Sequence, residues 1–343
     1  MTKRILMVGL GSIGQRHLRN IRALLGETVE IAACRVLRQA PLLTAKMQVE
    51  AGVSLEEKYN LTVFDNLDAA LAWGPSAVFI CNPNSLHVPV ALAAARSGAH
   101  VFIEKPLSHN LEKIDELCVA LEEHKRIGMV AYQMRFHPCL QETQKLLRQE
   151  AVGRVLAVRA EVGEYLPDWH PWEDYRLSYA SRKELGGGVL LVLIHELDYL
   201  YWLFGMPSRI YAVGGHLSNL EVDVEDIVST LMDCGGTPVH LQQDFIQSPP
   251  NRTLEIVCDR GKILVDLRAL SVTVHRRGEK EPEFHAFPDF DRNQMFLDEL
   301  RHFFDCIQSG AQPIVNVRDG AQSLRMALAA RESLEKKCSL PLL

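Results

Sequence analysis

None of the eight cysteines stands in a CxxC pair or at a zinc-like spacing; they fall singly at positions 34, 81, 118, 139, 234, 258, 306 and 338. That removes the sequence basis for a zinc site or a dithiol redox motif. Several of the cysteines lie in apolar strand-like runs, where a thiol acts as a small hydrophobe. Reduced thiols in a cytoplasmic enzyme are the expectation. Long apolar runs are missing as well. The chain passes from Met1-Thr2-Lys3-Arg4 into a short apolar strand backed by glycines, which suits neither a signal peptide nor a bilayer span, and the run over 189–194 is equally short. No membrane partner is expected. Positive charge is not in excess either. A formal net charge of -6 gives no general attraction to phosphate backbones, which argues against nucleic acid as a partner. Internal repeats, low-complexity tracts and floppy linkers are also absent.

What is present is enough chain for two cores. At 343 residues the sequence exceeds the size at which one core keeps growing, and 47% hydrophobic with 23% charged residues is ordinary for a globular enzyme. The first third alternates apolar strand-like runs over 5–8, 29–33, 63–64, 77–80 and 100–103 with helical patterns over 15–25, 67–73, 88–97 and 111–124. Three of those helices run into Gly26, Gly74 and Gly98, as helix C-termini often do. The longer interval 39–60 is predicted to hold an extra helix over 44–51. Beyond about residue 150, strand patterns over 155–161, 209–214, 227–233, 239–245, 252–258, 262–266 and 271–275 are joined by hairpin-type turns. One long apolar helix over 188–204 interrupts them, and two helices over 295–308 and 317–336 close the chain. The fold class is therefore α/β. A doubly wound parallel sheet comes first, followed by an α+β domain with a large open, mostly antiparallel sheet. The division is placed at 1–128 and 129–343.

Gly9-Leu10-Gly11-Ser12-Ile13-Gly14 follows the first strand and opens a helix, the context a dinucleotide fingerprint requires. Gly9 permits the tight turn, Gly11 lets the main chain approach a pyrophosphate, and Gly14 lets helix and strand pack closely. The helix N-terminus, with Ser12 and Ile13 in its first turn, offers N–H groups to phosphate. A Rossmann domain is expected. After the second strand stand Arg35 and Arg38, with none of the acids that usually read the ribose 2′-hydroxyl of NAD. The two arginines either receive a 2′-phosphate or are solvated, so the cofactor is NAD or NADP with a lean to NADP.

Cys81-Asn82-Pro83-Asn84-Ser85-Leu86-His87 and Glu104-Lys105-Pro106 each directly follow a predicted strand. In a parallel sheet both would lie along the carboxyl edge where ligands collect. Lys105 is suited to polarising a reacting oxygen or accepting its proton, because burial or nearby positive charge lowers a lysine pKa. Taken alone, Glu-Lys-Pro reads more readily as a plain strand-to-helix turn.

With Arg135 in Tyr132-Gln133-Met134-Arg135-Phe136, and Gly186-Gly187-Gly188 leading to His195-x-x-Asp198, these motifs in this order resemble the glucose–fructose oxidoreductase/inositol dehydrogenase/MocA family across nearly the whole chain. The resemblance implies hydride transfer between nicotinamide and a hydroxyl-bearing carbon of a sugar, nucleotide sugar or polyol. It implies Lys105 as the catalytic lysine and His195 as the active-site histidine, with Glu104 and Pro106 framing the nicotinamide. The same resemblance implies a homo-oligomer, dimer or tetramer, built through the C-terminal sheet.

The chain departs from the family at one point. An aspartate is common one turn before the histidine, and here the corresponding residue is Val192. The stretch 164–176, rich in aromatic and ionisable residues, offers a replacement wall for a carbohydrate, through Tyr165, Asp168, His170, Trp172 and Tyr175, with Tyr132, Lys105 and His195 also facing substrate. An ordinary packed loop is the other reading. Arg135 either binds an anionic group of cofactor or substrate, or pairs with a carboxylate to hold the two domains together. His195-Glu196-Leu197-Asp198 lacks the second histidine of a zinc helix, so no metal is expected. Two alternatives to a dehydrogenase remain: a cofactor-binding sensor or assembly protein without net turnover, and an enzyme that recycles a tightly bound NAD internally.

Overall fold

The computed structural model describes residues 4–35 and 41–342. They form two compact units, residues 1–132 with 296–321 and residues 133–295 with 322–343.

The first unit is built from β1 (Arg4–Val8), α1 (Ser12–Leu25), β2 (Glu30–Cys34), α2 (Leu55–Tyr59), β3 (Thr62–Phe64), α3 (Leu67–Ala72), β4 (Ala77–Ile80), α4 (His87–Arg96), β5 (His100–Glu104), α5 (Ile114–Glu123) and β6 (Gly128–Ala131). Its six strands are all parallel in the order β3-β2-β1-β4-β5-β6. The order reverses between β1 and β4, and the crevice outside those strand ends is where such sheets take ligands. All the strands but the edge strand β3 are buried on both faces over most of their length, which is why they read as continuous apolar runs.

Two features depart from the sequence reading. The helix expected over 44–51 does not form. Gln15, in the first turn of α1, donates to the Pro41 carbonyl at 2.8 Å and accepts from Leu43 N at 2.8 Å. The chain there makes a small turn closed by a Leu43–Val49 bridge, with Met47 at φ 60. A left-handed methionine cannot continue a helix. The helix starts later, at a Ser54–Glu57 capping box. The boundary also differs from a single cut at 128/129. Strand β6 pairs with β5, and residues 296–321 return to this unit. Phe303 explains the return, because it sits edge-on to Phe79 at 5.7 Å and Phe102 at 5.4 Å, which stack on each other at 4.9 Å.

The second unit contains α6 (Pro138–Arg148), β7 (Val155–Gly163), α7 (Val189–Val192), α8 (His195–Phe204), β8 (Arg209–Gly215), β9 (Ile227–Cys234), β10 (Thr237–Asp244), β11 (Asn251–Cys258), β12 (Gly261–Asp266), β13 (Ser271–Arg276) and β14 (Glu283–Ala286). The chain closes with α9 (Arg292–Ser309), α10 (Val317–Lys336) and β15 (Leu340–Pro341). Nine strands make one open sheet, β14-β13-β12-β11-β7-β10-β9-β8-β15, antiparallel except for the β7–β10 pair. Alternate residues such as Val158, Ala160, Leu241, Leu254 and Ile256 are buried on its inner face. The outer face leaves Tyr211, Val213 and Leu231 exposed, with Tyr211 directly opposite Leu231.

The single apolar helix expected over 188–204 is two helices. It breaks at Leu193, and the axis bends by 49°. No proline or glycine marks the break. Gln243 Nε2 reaches in from β10 and donates to the Leu193 carbonyl at 2.7 Å, supplying the bond that a continuous helix would have made. Among the described residues no single helix is long and apolar enough to cross a membrane.

Candidate active site

In the first unit the loops after β1, β4 and β5 meet at the strand ends. Val8 pairs with both Cys34 and Ile80, so Gly9 and Cys81 emerge side by side. Gly9 has φ +92, and a Cβ on it would lie 2.7 Å from the main chain of Cys81 and Asn82. A Cβ on Gly14 would lie 2.3 Å from the Gly9 carbonyl oxygen. Both glycines are thus required by the protein's own packing. Gly11 differs, because a Cβ there would meet nothing within 4 Å. Gly11 is also the N-cap of α1, with no side chain capping that end and no acid in the first turn. The free N–H groups of Ser12 and Ile13 are therefore offered to an anion from outside the chain. Asn82 Oδ1 is buried with no hydrogen-bond partner among the described residues, an acceptor that a bound hydroxyl or amide would satisfy. These residues fit a dinucleotide.

His87 joins two of the loops. Its Nδ1 lies 2.8 Å from the Pro106 carbonyl and its Nε2 lies 2.8 Å from the Asn82 carbonyl. Burial pulls its pKa below the ordinary histidine value despite the carbonyls, which favour the charged ring. His87 is therefore a clamp between main-chain segments and does not itself project to a ligand; Asn84 beside it is buried. Pro83 starts the short turn that carries Asn84.

Glu104 is buried, and its oxygens are engaged. One meets His17 Nε2 at 2.6 Å and the other accepts from Lys105 N at 3.1 Å. His17 is itself enclosed by Phe79, Phe102 and Phe296. From sequence alone His17 had no role of its own, although it stands in the second turn of the fingerprint helix. Lys105 follows on the partly exposed side of a cis peptide to Pro106.

Two expected cofactor ligands are placed otherwise. Arg35 is buried and forms an ion pair with Glu56 of α2. Arg38 lies outside the described residues. Arg135 belongs to the second unit, where its guanidinium is engaged by a carboxylate. Its Nη2 and Nε donate to the two oxygens of Asp198 at 2.7 and 3.0 Å, both side chains being buried, and Ser323 adds a third bond to Asp198 at 3.1 Å. A buried carboxylate of this kind holds its arginine fast. The pairing expected of Arg135 is thus seen directly.

His195 opens α8 in the second unit and is 5% exposed. The Gln133 carboxamide meets its Nε2 at 3.0 Å, a partner the sequence did not reveal. The next residue, Glu196, is fully buried and takes a bidentate bond from Arg252 at 2.7 and 3.1 Å. Burial nevertheless raises its pKa, with Arg252 opposing. Val192 is 1% exposed in an apolar turn, so nothing polar stands at the position of the missing aspartate. In the 164–176 loop the polar tips are divided. His170 pairs with Glu173 at 2.5 Å and its ring lies 5.0 Å from Trp172, while the Tyr175 hydroxyl accepts from Glu221 N at 3.2 Å. Tyr165 and Asp168 face solvent, and Tyr132, at the end of β6, is fully buried. The loop is therefore partly packed on itself, as Trp169 against Phe245 also shows. No group of three or more His, Cys, Asp or Glu among the described residues is placed to hold a metal ion.

Residues 3–132 match the model of an oxidoreductase family with an NAD-binding Rossmann fold, and residues 140–264 match that of the GFO/IDH/MocA C-terminal domain. The chain is 25% identical over 350 residues to a myo-inositol 2-dehydrogenase of Thermotoga maritima, spanning 99% of this chain and 98% of that one. It is 27% identical over 260 residues to a 2,7-anhydro-N-acetylneuraminate hydratase of Mediterraneibacter gnavus, spanning 70% and 68% respectively. Among solved structures, the WlbA dehydrogenase from Bordetella pertussis, in complex with NADH and UDP-GlcNAcA, superposes with a TM-score of 0.81 at 23% identity, covering 100% of this chain and 99% of that one. That last likeness is one of fold.

Proposed function

Since the chain belongs to the glucose–fructose oxidoreductase/inositol dehydrogenase/MocA family of oxidoreductases, we propose that it is a nicotinamide-dependent dehydrogenase or reductase acting on a hydroxyl-bearing carbon of a sugar, nucleotide sugar or polyol. The bound nicotinamide supplies the hydride acceptor or donor. The glycine loop and the open end of α1 take the pyrophosphate through main-chain N–H groups. Lys105 holds the proton at the reacting oxygen, accepting it when the hydroxyl is oxidised and returning it when the carbonyl is reduced. His195, braced by Gln133, is assigned to the same chemistry by the family resemblance.

The observation that carries this reading is the double fixing of Lys105. Its own N–H is held by Glu104 at 3.1 Å, and the carbonyl of the following proline is held by His87 at 2.8 Å. A lysine with main chain anchored on both sides has its Cα and the direction of its side chain set, which narrows where the amine can reach. Lys105→Met should cut turnover by roughly 10²–10⁴-fold, the usual worth of a positioned acid or base, while the dissociation constant for the cofactor stays nearly unchanged. Turnover that survives the substitution would remove Lys105 from the reaction.

Val192 favours a second reading, in which the dinucleotide stays bound and ends each cycle as it began. The overall reaction of a hydratase, such as the Mediterraneibacter relative, adds or removes water and needs no net hydride transfer. Nicotinamide that copurifies with the protein, with no net absorbance change over a broad panel of sugars, would mark that case. A sensor or assembly role would instead show exchangeable cofactor and no turnover.

The exposed outer face of the nine-stranded sheet, with Tyr211, Val213 and Leu231, supports a homo-oligomer formed through that sheet. Sedimentation should give a dimer or tetramer, and a monomer at micromolar concentration would refute it. The free cysteines, all buried but Cys338, support a cytoplasmic enzyme.

A further inference from the structure

The acid missing from the end of β2 in the sequence is supplied by the fold from another element. Arg35 is the first residue beyond β2, and because Cys34 pairs with Val8 it stands level with Gly9 of the fingerprint. Its N–H donates to the Phe64 carbonyl at 3.0 Å, which seats it at the strand ends of β2 and β3. Glu56, from α2, forms an ion pair with its guanidinium; the Arg35 side chain is 6% exposed and that of Glu56 is 28% exposed. The capping box that encloses Glu56 fixes the turn it stands on, since Ser54 Oγ accepts from Glu57 N at 3.1 Å and Glu57 accepts from Ser54 N at 3.0 Å. Gln15 ties the chain just past this point to the fingerprint helix through Pro41 and Leu43. The pair thus lies beside the place where a Rossmann domain reads the adenosine ribose.

We propose that the Arg35–Glu56 pair selects NAD over NADP. The inference rests on the dinucleotide reading above and deepens it. A ribose diol donates hydrogen bonds, and the Glu56 carboxylate can accept them while its ion pair with Arg35 stays intact. A 2′-phosphate brings nearly two negative charges. To bind, it must take Arg35 from Glu56 and leave that carboxylate beside it, half-buried and unpaired. Like charges brought together in a partly desolvated site discriminate strongly between ligands. Arg35, already neutralised by Glu56, is thereby withdrawn from a 2′-phosphate.

The test is direct binding, measured by calorimetry on the whole protein with NAD and with NADP. The native protein should favour NAD by roughly tenfold or more. Glu56→Gln should shift the NADP-to-NAD affinity ratio towards NADP by about tenfold, because the carboxylate that repels the 2′-phosphate and accepts from the ribose diol is gone. Replacing both partners, Arg35→Met with Glu56→Met, preserves packing without charge and should bring the two affinities together. Equal native affinities, or a preference for NADP, would overturn the proposal, as would a native NAD preference that neither variant moves. Failure of the native protein to bind either dinucleotide would overturn the functional reading itself, and the selectivity proposal with it.

Discussion

The strand-end edge of the first unit and the surroundings of α8 in the second both gather polar groups, but they use them in opposite ways. Around Gly9, Gly11 and Gly14 the main chain is left available, and the side chains nearby serve to hold it. His87 clamps two carbonyls, Glu104 holds Lys105 N, and Gln15 holds Leu43 N. Around α8 the charges are already spent on each other, as in Arg135 with Asp198 and Glu196 with Arg252. The first arrangement waits for an anion from outside. The second is closed, and supplies rigidity under His195. A charge that looks available in sequence is thus informative about ligands only where the fold leaves it without an internal partner.

Gly14→Ala should have the largest effect on this contrast. Its Cβ would collide with the Gly9 carbonyl oxygen at 2.3 Å, so the loop must shift and dinucleotide binding should fall below detection in calorimetry. Retained binding would show that the loop has more freedom than its packing implies. Arg135→Met should leave cofactor affinity alone and strand Asp198 in the core, lowering unfolding free energy by roughly 3–5 kcal/mol in denaturant titrations. Adding Asp198→Leu should restore most of that loss. A large change in NAD affinity from Arg135→Met would return Arg135 to the cofactor site.

The smallest effect is on acid stability. Burial lowers the His137 pKa from 6.5 to about 4, with Arg252 adding to the shift. Its Nδ1 caps α6 by accepting from Cys139 N at 3.3 Å, a bond only an unprotonated nitrogen can make. A depressed folded-state pKa means that the unfolded chain takes the proton first. The stability from this neutral histidine is then complete above pH 6.5 and is lost as the pH falls towards 4. The slope is at most about 1.4 kcal/mol per pH unit. His137→Asn should flatten stability against pH over that window. An unchanged slope would place the acid sensitivity elsewhere.

Much of the first unit was legible because glycine and proline constrain the main chain directly, and a buried parallel strand must be apolar throughout. The fingerprint, the Asn82-Pro83-Asn84 turn and the Lys105-Pro106 turn all fall where the pattern put them. What the sequence hid depends on partners far along the chain. Glu56 meets Arg35 from 21 positions away, and Asp198 meets Arg135 from 63. Neither acid carries a local signature of its partner. The break at Leu193 was hidden for the same reason, since its cause is Gln243, 50 residues downstream. The helix expected over 44–51 gives way to a turn in which Met47 takes φ 60 and Leu43 bridges Val49, with Gln15 holding the main chain just before it.

The return of residues 296–321 to the first unit bears on how the protein is made. Synthesis from the N-terminus delivers the six parallel strands early, but Phe303, which completes the packing of Phe79 and Phe102, emerges more than 150 residues after β6. Until then the nascent sheet carries an uncovered aromatic face, the kind of surface that chaperones bind and that aggregates form on. A fragment ending at residue 132 would keep that face permanently. The nucleotide-binding unit is therefore begun first but completed only near the end of the chain.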